Sequence, residues 1–148
     1  MKQHLNRLFE YNLWANQKFA DVLLANDFKH PKILRFISHT ANAQLIWFDR
    51  INGKASETPV WIEYSISEAI DKLISNSQAW LSFINEEQDF SRIITYVDSQ
   101  GDSYQSVLSD IIIHVANHGT HHRGQIALLL REENIAPPAS DFIFFCRA

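Results

Sequence analysis

Four of the chain's seven histidines, His114, His118, His121 and His122, fall within nine residues. Imidazole titrates nearer neutral pH than any other side chain and is the commonest protein ligand of transition-metal ions, so the cluster points to metal binding or proton transfer. His118 and His122 stand four apart. On a helix that spacing puts both rings on one face, about 6 Å from each other, within reach of one ion. With His118 as zero on the wheel, Ile111 and Leu129 lie at about +20°, His122 at about +40° and Val115 at about +60°. The pair is therefore expected in the middle of the apolar stripe. There each ring nitrogen needs a partner, supplied by a divalent cation or by hydrogen bonds to Asn, Gln or Tyr in the core. His114 and His121 fall at about −40° and −60°, toward the stripe's edge, and are the candidate catalytic pair for moving a proton.

A metal site needs a ligand from a second element. His39 is the best candidate, mid-helix between Phe36 and Ala43; His4 lies near the terminus, and His30 precedes Pro31 in a connection. Three neutral histidines would leave the ion its full double charge. Such an ion is a strong Lewis acid with positions open to water, thiol or substrate. Binding needs neutral imidazole, so affinity should fall below about pH 6.5.

The elements that must position these residues are helices. Four glycines and four prolines in 148 residues leave little room for the turns of a small all-β fold. Asn6–Ala25 reads as a first helix. Pro31 opens a second, which Gly53 stops, and its two apolar sides imply burial on both. Ser65 and Glu68 have capping-box spacing before a third helix ending near Asn85. Ile93 to Gln105 fits a short hairpin or an extended crossover. Ser106 is the expected cap of a fourth helix running to about Asn134, before Pro137 and Pro138. The aromatic tail, Ser140 to Arg147, is expected to fold back. The pattern predicts an all-α four-helix bundle with long connections, one domain over residues 1–148.

Composition narrows function. A formal charge of −4 without a Lys/Arg run argues against nucleic acid. No apolar run approaches the ~20 residues of a membrane span, and no signal-peptide core interrupts Met1 to Ala20. Cys146 is the only cysteine, so the expected compartment is the cytoplasm.

The run His114-Val115-Ala116-Asn117-His118-Gly119-Thr120-His121-His122-Arg123-Gly124-Gln125 resembles the H-x-x-N-H-x-x-x-H-R-G-Q signature of the DinB-like family. These are damage-inducible, metal-binding four-helix bundles, unrelated to the DNA polymerase sharing that name. Tyr11-Asn12-Leu13-Trp14-Ala15-Asn16 is similar to the family's Y-x-x-W-A-N. His39 with Gln44, Trp47 and Gly53 resembles its helix-two region, and Pro137-Pro138, Asp141-Phe142 and Arg147 its ending. The resemblance implies a divalent ion, zinc or nickel, on His39, His118 and His122. It also implies a thiol-dependent S-transferase or isomerase acting on a small molecule with a low-molecular-weight thiol as cosubstrate. A hydrolase using ion-activated water and a non-catalytic metal-binding stress protein are the alternatives. His121 departs from the family pattern and offers a competing ligand. A homodimer is expected from the apolar seams of helices one and four.

Among lesser candidates, Trp14, Trp47 and Trp80 read as core packing, and Trp61, in the long connection, as cover for a pocket. Arg123 reads as bridging neighbouring helices or as binding an acidic ligand, and Cys146 as packing. Gly119 and Gly124 cost about 1 kcal/mol each inside a helix. Close approach of a neighbour and tolerated surface placement account for them equally.

Overall fold

The structure, a computed structural model, describes residues 1–26 and 28–148. Its order is α1 (Lys2–Ala25), α2 (Pro31–Ile51), α3 (Ile66–Glu86), β1 (Ile93–Val97), β2 (Ser103–Val107), α4 (Leu108–Glu132) and the single turn α5 (Phe142–Phe145). The chain is an all-α helical bundle carrying one small two-stranded sheet. α1 and α2 each pack against both α3 and α4, while α3 and α4 form no packed pair. The α3–α4 connection must therefore cross an end of the bundle, and the hairpin lies in that crossing.

Local chemistry accounts for the boundaries. α1 begins at Lys2, earlier than the expected Asn6, because Met1's carbonyl accepts from the amides of His4 and Leu5 and Leu5 is itself a core residue. Pro31 occupies the first turn of α2, and Nδ1 of His30 accepts from the amide of Lys32 at 3.2 Å. Gly53, at φ 71°, turns the chain beyond α2. The capping box of Ser65 and Glu68 is present.

Between the two readings of residues 93–105, the hairpin is correct. Ile93 pairs with Val107, and one carboxylate oxygen of Asp98 accepts from the amides of Gln100 and Asp102. The expected cap Ser106 is a strand residue whose hydroxyl meets that of Tyr96 at 3.2 Å, so α4 starts at Leu108 with Val107 as its uncapped flank. Strand pairing holds Ser106 extended and takes its hydroxyl away from the helix. The tail folds back as expected. Phe142 and Phe145 pack on Tyr11, and the Tyr11 hydroxyl donates to the carbonyl of Ser140 at 2.9 Å.

The core has two apolar layers separated by a polar one. Phe19, Leu23, Ile33, Ile37, Leu73, Ile126 and Leu130 build the first, and Phe9, Trp80, Ile84, Leu108 and Ile112 the second. Between them lie the buried Asn12, Asn16, Gln44, Ser77 and Arg123, one or two from each long helix. Asn16 donates to the Ser77 hydroxyl at 3.1 Å, and Ser77 meets the Gln44 side-chain oxygen at 3.2 Å. A hydrogen-bonded polar layer of this kind penalises sliding of one helix along another, because any slip breaks the bonds its members make; the side-chain amide nitrogens of Asn12 and Gln44 have no partner among the described residues. The register it holds also places His39 beside His118 and His122.

Candidate metal centre

His39 projects from α2, and His118 and His122 from successive turns of α4, toward one point. Nε2 of His118 lies 3.2 Å from Nε2 of His39 and 3.1 Å from Nε2 of His122. One ligand atom from each of the three falls within 4.8 Å of the others. Tetrahedral ligands at 2.0–2.1 Å from an ion stand ~3.3 Å from one another, close to the two contact distances here.

The outer nitrogens are held separately. Nδ1 of His39 meets the Val60 carbonyl at 3.2 Å, and Nδ1 of His122 meets the Gln125 side-chain oxygen at 2.6 Å. Because both partners accept, each ring carries its proton on Nδ1 and turns the Nε2 lone pair inward. Two lone pairs thus face Nε2 of His118, whose single N–H can satisfy one of them. A cation satisfies all three nitrogens. The donor set therefore fits a divalent ion, and hydrogen bonding alone leaves it incomplete.

Aromatic rings fix the orientations. The Trp61 ring stacks on His39 with centroids 4.0 Å apart and planes 11° apart, and the Arg35 guanidinium lies 4.6 Å over Trp61 on its way to solvent. Phe36 stacks on His122 at 5.6 Å. Burial lowers the pKa of His39, and of His122 more than Gln125 raises it. Burial, with the charges of the neighbouring rings added, brings His118 down to about 3. All three are held in the neutral, ligating form.

His39 and His122 are buried, but His118 is half-buried, which corrects its expected place in mid-stripe. The buried face of α4 runs through Ile112, Ala116, Gly119, Arg123 and Ile126, so the polar layer shifts the centre of burial and leaves His118 at its edge. That edge position opens the centre to solvent. His114 and His121 are exposed and flank the trio without joining it, their rings 5.7 Å from His118 and 5.0 Å from His122 respectively. Partial desolvation and the charge of Arg50 lower the pKa of His114. His30 serves as the α2 cap, and His4 is exposed.

Trp47 packs against the second apolar layer, as its core reading expects, but from the edge. It is half-buried and packs edge-on to His114 at 5.3 Å and to Tyr96 at 4.9 Å, with Arg50 over its face at 4.6 Å. Trp14, also half-buried, packs on Phe145, and only Trp80 is fully buried. A cavity of about 380 Å³ opens between α2, the 54–60 connection and β1, lined by Ile46, Arg50, Thr58, Val60 and Tyr96. It shares Val60 with the metal centre. Cys146 is exposed rather than packed, because its turn lies on the surface.

Sequence reasoning missed the Val60 carbonyl and the Trp61 stack, since a backbone acceptor and a contact across 22 positions leave no local trace. Gln125 was visible at i+3 from His122 but had been given no role.

The family model described as DinB family matches residues 1–148. Among curated proteins, the chain is similar to "Protein DinB" of Bacillus subtilis (strain 168), 25% identical over 154 aligned positions that cover 92% of this chain and 90% of that protein. It is also similar to "Uncharacterized protein YizA" of the same organism, 23% identical over 152 positions covering 93% of this chain and 92% of that one.

Proposed function

This chain belongs to the DinB family, and from that premise we propose that it holds one divalent ion, zinc or nickel, on His39, His118 and His122 and uses it to activate a low-molecular-weight thiol toward a small electrophile. The convergence of three Nε2 atoms, two with their protons committed to outer acceptors, carries the reading. Among the described residues no fourth carboxylate, thiol or imidazole joins the cluster, which matches a catalytic centre with an open position rather than a closed structural one. When bound, the ion supplies Lewis acidity that favours the deprotonated form of a thiol with an ordinary pKa near 8.5.

The chain's residues do the rest. Val60 and Gln125 hold the rings in the ligating tautomer, and Trp61 and Phe36 brace them and keep water from their faces. His114 and His121 stand where a proton released by the thiol can be taken up at an imidazole nitrogen and passed to solvent or product. The cavity beside Val60 receives the electrophile, with Arg50 and Tyr96 among its polar groups. The compartment assigned is the cytoplasm, where such thiols are kept reduced.

Metal analysis of the purified protein tests the first half. About one equivalent per chain is expected, lost in His118→Ala and in His122→Ala and kept in His4→Ala. Full retention by both α4 variants would end the proposal. The second half is read by turnover of model electrophiles with and without cellular thiols. Thiol-dependent turnover that vanishes in His122→Ala supports transfer. Turnover without thiol favours hydrolysis, and no turnover with a closed metal shell favours a non-catalytic role.

A further inference from the structure

Thr120, Arg123, Ala127 and Arg131 lie about 100–180° round α4 from His118 and His122, and the chemistry there is different. Arg123 is only 4% exposed, yet every hydrogen-bond partner of its guanidinium is neutral. Nη1 donates to the side-chain oxygens of Asn12 at 2.8 Å and Asn16 at 2.7 Å, and Nη2 donates to the Thr120 hydroxyl at 3.0 Å. These bonds use three of its five N–H groups, and the guanidinium also interacts with the Tyr11 side chain, 5.5 Å from its ring centre. Among the described residues no carboxylate forms an ion pair with Arg123, nor with Arg131 two turns on.

Both arginines line a cavity of about 500 Å³, bounded on one side by Pro137, Pro138 and Ser140. The hydroxyl of Tyr11 pins that segment through the Ser140 carbonyl, so the wall is held in place. Among the described residues Asp141 is the one acidic residue on the lining, against two arginines. A buried cation without a counter-charge is costly, and a neutral cage recovers only part of that cost. Bridging α1 to α4 explains the bonds to Asn12 and Asn16. It does not explain a cavity of metabolite size beside the remaining N–H groups, or a second guanidinium on its wall.

We propose that this cavity is a binding site for a small organic oxyanion, a carboxylate or phosphate, recognised by Arg131 together with the donor capacity of Arg123 that Asn12, Asn16, Thr120 and Tyr11 leave over. Planar guanidinium donors match both oxyanions in paired hydrogen bonds. The site faces away from the histidine trio and does not depend on the metal reading.

Calorimetric titration of the full chain with inorganic phosphate and, separately, malonate, at fixed ionic strength, tests it. Saturable binding of at least one probe at one site per chain is expected, and whichever binds identifies the oxyanion class. Arg131 is exposed, so Arg131→Gln should fold normally, keep its metal content and circular dichroism, and weaken binding at least about tenfold, as expected for loss of a charge-assisted contact. Binding of neither probe, or binding that Arg131→Gln leaves unchanged, would overturn the proposal.

Discussion

Gln125→Leu isolates the part played by the outer hydrogen bond of the metal centre. The Gln125 oxygen accepts from Nδ1 of His122 at 2.6 Å and so holds the ring's proton away from Nε2. Leucine keeps the helix and much of the volume but removes the acceptor, freeing His122 to carry its proton on the inward nitrogen. Every neutral ring in that tautomer must shed or move a proton before ligating. Loss of an outer acceptor of this kind costs about 10–100-fold in metal affinity, or about 1.4–2.7 kcal/mol. His39 keeps its main-chain acceptor and its Trp61 stack, and Phe36 still braces His122, so the loss is confined to one ligand of three. Competition for zinc between the protein and a chromophoric chelator reads the change, with circular dichroism to show the helix intact. Gln125→Glu, which keeps an acceptor, should bind at least as tightly as the parent. A leucine variant within about threefold of the parent, under 1 kcal/mol, would refute the claim that this bond selects the ligating tautomer.

The two glycines of α4 should respond oppositely to alanine. At Gly119 a methyl would stand 2.7 Å from the Asn12 oxygen and 3.0 Å from Nη1 of Arg123, both buried, whereas at Gly124 it would meet nothing within 4 Å. Gly119→Ala should lose about 1–3 kcal/mol of stability and Gly124→Ala gain about 0.5–1 kcal/mol in urea unfolding, and equal responses would contradict the close packing of α1 on α4. Metal-free protein should weaken as pH falls from 7.5 to 5. Burial keeps His39, His118 and His122 neutral while their unfolded counterparts take up protons below about 6.5. Because folded His118 titrates only near 3, its contribution is complete above about 6.5 and drains away between there and 3. A urea midpoint that is flat across this range, or no shallower dependence in His118→Ala, would count against it. For the same reason metal should be retained to lower pH than the ordinary histidine value suggests, which equilibrium dialysis across pH 7.5 to 5 would show.

Much of the architecture was legible because helical periodicity and capping are local. The gapless apolar spacing, Pro31, Gly53 and the Ser65–Glu68 box mark elements within a few residues of where they lie. Ser106 misled because a strand partner twelve residues earlier in the chain, not the local sequence, decides whether it caps a helix or joins a sheet. The histidine pair of α4 could be read from its spacing, and His39 from its place on an apolar helix. What periodicity could not supply was which way α4 faces. It treats the buried stripe as purely apolar and so sets His118 at its middle, while the packed bundle places Arg123 and Gly119 inward and turns His118 to the rim. The two glycines show the same division. They are identical by composition and helix propensity, yet one admits Asn12 and the other faces open space, a difference made by another helix 107 residues away in the chain. The approach of three rings from two helices, the carbonyl behind His39 and the cavity behind Arg123 are likewise products of packing. They depend on distances between segments that the sequence keeps far apart, and only the assembled bundle determines them.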